Sequence, residues 1–189
     1  MPLLSDKVEA QEPGQVPSQD SPRVPSPSGA QVRVQVRAQV RVQAEDFDLG
    51  AEFAALTAGR RDIGGVGCFV GTVRATTGGP ALEALTLEHY PGMTERAIAE
   101  IVTQAEQRWP LLGCTVIHRV GRMVPGENIV LVLAASAHRQ AALDATAFLI
   151  DWLKTQAPFW KQESFADGSA TWVEAREADD AAAARWGAR

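Results

Sequence analysis

The chain has 189 residues, 46% of them hydrophobic and 22% charged, with a formal net charge of -5. That is enough apolar matter for one core plus a tail. The acidic balance argues against a general nucleic-acid binder, and no stretch approaches the run of about 18 apolar residues that a membrane span needs.

Residues 1 to about 30 are rich in Pro, Ser, Gln and Gly and contain no aromatic residue. Such a segment buries too little apolar surface to offset its ordering entropy, so a disordered extension is expected over 1–30, ahead of a domain over 31–189. Met1 to Asp20 lacks a basic start and an apolar run, so no signal peptide is expected and the expected location is the cytoplasm. The two cysteines, Cys68 and Cys114, lie far apart and make no metal-ligand spacing, which reads as two small buried residues in strands.

The elements follow in order. QVRVQVRAQVRVQ (31–43) alternates Val or Ala with Gln or Arg and reads as a strand with one apolar and one solvated face. A short helix is expected near 48–58, with Asp46 or Asp48 as N-cap and Gly59 past its end. GGVGCFVGTVR (64–74) reads as a buried strand whose glycines allow close backbone approach; with no helix after it, it is not a nucleotide fingerprint. After a turn at 76–80, Leu82 to Tyr90 alternates again, and these two strands are expected to form a hairpin-like pair.

A helix over 94–109 follows, with Thr94 as the natural N-cap and Ala97, Ile98, Ile101, Val102, Ala105 and Trp109 at helical spacing. CTVIHRVG and NIVLVLAASA are strands around the Pro125-Gly126 turn. His138 to Gln156 gives the strongest helix, with Leu143, Thr146, Ala147, Ile150 and Leu153 on one face, widened by Phe148, Leu149 and Trp152, and Pro158 as its stop. FWKQESF and TWVEARE pair around Asp167-Gly168, and a short Ala-rich helix ends the chain. Strand pairs separated by helices point to the α+β class.

Three groups of residues invite chemistry. His138 and Arg139 start the longest helix, where free N–H groups and the helix dipole favour an anion such as phosphate. Lys154 and Lys161 bracket the stiff QAPFW turn, which partly shields them; a shielded lysine beside another cation serves as acid, base or nucleophile, and Glu163 balances the charge. Arg74 ends the glycine-rich strand. His89 and His118 read as ordinary strand residues, and HExxH, GxSxG and Cys/His clusters are missing. His138 and Lys154 lie roughly 24 Å apart along one helix. If both serve one small ligand, the pocket is shared between two chains, most simply in a two-fold homodimer.

FVGTVR (69–74), LTLEHYPGMTERAIAEI (85–101), RWP (108–110), VIHRVG (116–121), SAHRQAA (136–142), DWLKTQAPFWKQE (151–163) and WVEARE (172–177) together resemble the large, catalytic subunit family of molybdopterin synthase, the MoaE family. The most specific of these are LEHYPGM and LKTQAPFWK. The resemblance runs from near Val34 to Trp186 and leaves out the N-terminal extension. It implies an α+β hammerhead-type fold of mixed and antiparallel strands with packed helices. It implies a dimer of large subunits with a small ubiquitin-like subunit at each end, in all a heterotetramer.

The small subunit's C-terminal Gly-Gly thiocarboxylate would be the sulfur donor and cyclic pyranopterin monophosphate the acceptor, two transfers building the dithiolene. By the same resemblance Lys154 and Lys161 are the catalytic lysines. Arg74, His138 and Arg139 match pocket residues for phosphate and pterin, and Phe69, Glu163 and Arg176 match further positions around the pocket. No metal or cofactor is implied for this subunit, because the sulfur arrives activated. Two other readings compete: a non-catalytic docking module of the same fold, and a phosphate-ligand sensor built on His138-Arg139. Lys154→Ala separates them, since an enzyme loses turnover and keeps its partner.

Overall fold

The computed structural model describes residues 37–75, 80–173 and 183–187. The expected N-terminal extension, the first part of the first strand and most of the terminal Ala-rich helix lie outside the described residues. Val34–Arg189 forms one compact unit.

The elements are β1 (Arg37–Gln43), α1 (Leu49–Thr57), β2 (Gly65–Thr72), β3 (Leu82–His89), α2 (Met93–Arg108), β4 (Leu111–Arg119), β5 (Gly121–Met123), β6 (Asn128–Ser136), α3 (Arg139–Thr155), β7 (Phe159–Phe165) and β8 (Ala170–Trp172). They form two four-stranded sheets, ordered β1-β4-β6-β2 and β5-β3-β7-β8. In the first sheet β1 runs parallel to β4 and the other pairs are antiparallel; the second is antiparallel throughout. The class is α+β, as expected.

The first sheet is buried on both faces at its centre. Alternate residues Cys114, Val116, Val130, Val132 and Ala134 meet α2 and α3 through Ile98, Ile101, Val102, Phe148 and Leu149. The opposite set, Ile117, Leu131, Leu133 and Ala135, meets Phe47 and Leu56 at α1. Full burial of one such side chain is worth about 1.5–3 kcal/mol. This explains why β6 reads as a continuous apolar run, not an alternating one. A smaller core, Val73, Leu82, Leu85, Leu87 and Met123, lies on one face of the second sheet. Gly121, at φ 85°, lets the chain leave β4 in the first sheet and enter β5 in the second.

Four expectations change. β2 and β3 are not a hairpin: β2 pairs with β6 and β3 with β5 and β7, because each strand's apolar face is satisfied in a different core. The N-cap of α2 is Gly92, not Thr94. Its N–H donates to the Glu95 carboxylate at 2.6 Å, while Thr94 is buried inside the first turn. On α3, Leu143 is 55% exposed, and the buried stripe runs through Ala142, Ala145, Thr146, Leu149 and Leu153, where β2 and β6 press closest. Cys68 is exposed, because β2 is an edge strand; Cys114 is buried.

Candidate active site

The glycines of β2 let this strand lie directly against α3. A Cβ on Gly67 would sit 2.5 Å from the Ala142 carbonyl oxygen and closer still to Thr146 Oγ1, and one on Gly65 would touch Arg139 Cα at 3.5 Å. Further along, half-buried Phe69 packs into the cluster that holds Leu149 and Leu153. Strand and helix therefore run in the same direction, and the Arg74 end of β2 lies at the Lys154 end of α3. Arg74 itself is exposed. The backbone before it is clamped: Val73 N–H donates to Glu127 O and Gly126 N–H donates to Val73 O, both at 2.8 Å. Gly126 has φ 97°, so the Pro125-Gly126 turn, which reads from sequence as a mere connection, positions an arginine.

At the other end of α3, His138 is the N-cap, with no side-chain cap bond and no acidic residue in the first turn. Buried Ser136 holds the approach: its Oγ donates to Pro110 O at 3.0 Å and accepts from His138 N–H at 3.3 Å. His138 and Arg139 are exposed there beside unpaired helix N–H groups, an arrangement that suits an anion.

Lys154 lies exposed in the last turn of α3, where the helix dipole favours a cation. The expected shielding of both lysines thus holds for only one. Lys161, on β7, has a side chain 36% exposed, and its Nζ lies 3.1 Å from Glu163 Oε1. Lys161 pairs with Leu87 and Glu163 with Leu85, so both polar side chains share the face of the second sheet that packs around Val73. Lys161 follows Lys154 across the α3–β7 turn, and Val73, next to Arg74, clusters with Leu87 and Leu85, the strand partners of Lys161 and Glu163. His138 and Arg139 stay at the far end of the helix, and Arg176 lies outside the described residues.

Neighbouring groups limit the chemistry. Burial, with a smaller contribution from the charge of Glu106, pushes the Cys114 thiol up to about 12, and burial raises that of Cys68. Neither is poised as a thiolate relay for a transferred group. His118 is lowered to about 4, chiefly by burial, and is neutral at physiological pH. A cavity of about 410 Å³ between α2, α3 and residues 183–187, and another of about 500 Å³ between β1 and α1, are lined by none of the candidate site residues. Among the described residues, no group of three His, Cys, Asp or Glu is placed to hold a metal ion, and no helix is long and apolar enough to cross a membrane.

A family model described as MoaE protein matches residues 42–156. The chain belongs to the MoaE family. The match to the MoaE model takes in Phe69, Arg74, His138, Arg139 and Lys154 and stops before Lys161. A molybdopterin synthase catalytic subunit from Mesorhizobium japonicum is 60% identical over 143 residues, covering 75% of this chain and 89% of the relative. Among solved structures, a molybdopterin biosynthesis MoaE protein from Burkholderia ambifaria superposes with TM-score 0.68 at 49% identity, covering 80% of this chain and 99% of that one. Molybdopterin synthase from Staphylococcus aureus gives TM-score 0.65 at 28% identity, covering 70% and 95%. The α+β fold read from the sequence, mixed and antiparallel strands with packed helices, is thus the MoaE fold.

Proposed function

We propose that Lys154 and Lys161 carry out the chemistry of this chain and that Arg74, His138 and Arg139 hold its anionic substrates. The chain is an enzyme, the catalytic subunit of molybdopterin synthase, and its reaction is sulfur transfer in molybdenum-cofactor biosynthesis. The donor is the thiocarboxylated Gly-Gly terminus of a separate small ubiquitin-like subunit, the acceptor is cyclic pyranopterin monophosphate, and two transfers form the dithiolene. The observation that supports this reading is that Lys161 follows Lys154 directly across the α3–β7 turn and pairs with Glu163 at 3.1 Å.

A thiocarboxylate and a cyclic phosphate are both anions, so one cationic cleft serves both. Lys154 holds the incoming carboxyl terminus and protonates the leaving oxygen. Lys161, steadied by Glu163, stabilises charge on the pterin or acts as the general acid. Phe69 and Arg176 are assigned to substrate binding by their match to the family's pattern. With both thiols held in their protonated form, sulfur passes from donor to acceptor without a cysteine relay. The chain works in the cytoplasm, where free cysteines persist. Residues 31–189 make up the catalytic domain, and 1–30 are an extension without an assigned role.

His138-Arg139 and Lys154 lie at opposite ends of α3. A pocket that uses both therefore takes one end from each of two chains, in a homodimer with a small subunit on either side. The test is to mix the protein with thiocarboxylated small subunit and cyclic pyranopterin monophosphate and to measure the dithiolene pterin. Lys154→Ala is expected to lose about a hundredfold or more in turnover and to keep its small-subunit affinity. Unchanged turnover in that variant would remove Lys154 from the mechanism. No product even from the wild type, with the small subunit bound, would favour the docking module.

A further inference from the structure

LEHYPGM (87–93) and LKTQAPFWK (153–161) are far apart in the chain, yet in the fold they meet at Thr94. This side chain is fully buried. Its hydroxyl accepts from Tyr90 N–H at 3.3 Å and lies within donor reach of two carbonyl oxygens, Tyr90 O at 3.2 Å and Pro158 O at 3.4 Å. A threonine hydroxyl carries one proton, so the two carbonyls share it. Pro158 is the centre of the turn that separates Lys154 from Lys161. The residue after it, Phe159, is held from another side: its ring stacks on His118 with centroids 3.9 Å apart and planes 19° from parallel. Phe159 N–H also donates to Ala157 O at 2.8 Å, which tightens the turn.

We propose that Thr94 is a positioning residue for the sulfur-transfer reaction. From the first turn of α2 it holds the Pro158 carbonyl, and so sets how far apart Lys154 and Lys161 stand and how they are aimed. This rests on the reading of the two lysines as the catalytic pair. The geometry gives the hydroxyl a specific task. Thr94 is not the N-cap of α2, a role taken by Gly92 with Glu95, and its burial would be met equally well by valine. What valine lacks is the hydroxyl, and with it both the local bonds to Tyr90 and the contact across to the lysine-bearing turn, which Phe159→Leu probes separately. A catalytic group displaced by an ångström loses rate more than binding, so the effect belongs in kcat.

The experiment compares Thr94→Val, Thr94→Ser and Phe159→Leu with wild type and with Lys154→Ala and Lys161→Ala. All are assayed in the full chain with thiocarboxylated small subunit and cyclic pyranopterin monophosphate. Thr94→Val is expected to lower kcat about tenfold, with KM and small-subunit affinity held within about twofold, and Thr94→Ser to restore most of the rate. Phe159→Leu loosens the same turn without touching Thr94 and is expected to show the same split, which keeps the idea testable should Thr94→Val fold poorly. Wild-type kcat in Thr94→Val or in Phe159→Leu, or a Thr94→Ser variant as slow as Thr94→Val, would overturn the role. Inactive lysine variants beside a fully active Thr94→Val defeat this inference alone. Lysine variants that turn over normally defeat the lysine assignment on which it stands.

Discussion

Gly67 has no room for a methyl group, since the Ala142 carbonyl and the Thr146 hydroxyl occupy the place where a Cβ would go. Both neighbours belong to a helix that cannot retreat without opening the main core. Gly67→Ala is therefore expected to cost about 1–3 kcal/mol, read as a lower midpoint in chemical denaturation, through overpacking of β2 against α3. His118 gives a second prediction at this scale. Its folded-state pKa lies at about 4, below the ordinary value of 6.5, because burial disfavours the charged ring. The unfolded chain then binds a proton that the native state refuses. The stabilisation from keeping the ring neutral is complete above pH 6.5 and is lost as the pH falls through the window down to about 4, on the order of 3 kcal/mol in all. Stability measured against pH should fall across that window in the wild type, and His118→Asn should flatten the slope. An equal slope in the variant would assign the effect to other groups.

The lysine end of α3 is anchored from outside the helix. Asp151, one turn before Lys154, accepts from Arg185 at 2.6 Å and from the Trp186 indole N–H at 2.8 Å. The Trp186 ring meets Trp109 and Phe148 edge-on at 5.7 and 5.5 Å, and Arg108 donates to its carbonyl at 2.8 Å. The C-terminal segment thus ties α2 to α3 on the side away from β2. Asp151→Ala leaves the indole N–H and the Arg185 guanidinium without their acceptor and is expected to destabilise by about 1–2 kcal/mol. It should also open residues 183–187 to proteolysis. Limited proteolysis followed by mass measurement checks this, and an uncleaved variant with wild-type stability would show that the aromatic contacts suffice.

For the whole molecule, the decisive feature is the length of α3. His138 and Lys154 cannot reach one small ligand from the same chain, because the helix between them is roughly 24 Å long. Arg139→Ala and Lys154→Ala chains should each be nearly inactive alone. Co-expressed, they should regain about a quarter of wild-type activity, because half of randomly mixed dimers carry one intact composite site out of two. No recovery in mixed dimers would place each site within one chain, and a sedimenting monomer at micromolar concentration would dispose of the shared pocket altogether.

Periodicity and punctuation in the sequence were enough for the elements themselves. Asp48 caps α1 with its Oδ1 accepting from Ala51 N–H at 2.8 Å, α2 and α3 end before Pro110 and Pro158, and the glycines of β2 do mark a close backbone approach. These are local matters, settled by backbone dihedrals and hydrogen bonds within a few residues. Candidate chemistry was legible too, because a cationic helix start and two lysines around a Pro-aromatic turn are features of composition and spacing. Partnership was not. Alternation shows that β2 and β3 each have an apolar face but not which core receives it, and adjacency in the chain wrongly favoured a hairpin. The same holds for Leu143 against Ala142, where helical spacing leaves the angle of the buried stripe open until β2 and β6 press on one side. The tertiary structure alone decided that Lys161 and Glu163 share a sheet face with Leu87 and Leu85, and that Thr94 reaches Pro158. Each of these depends on contacts between residues distant in sequence, which only the packed fold brings within reach.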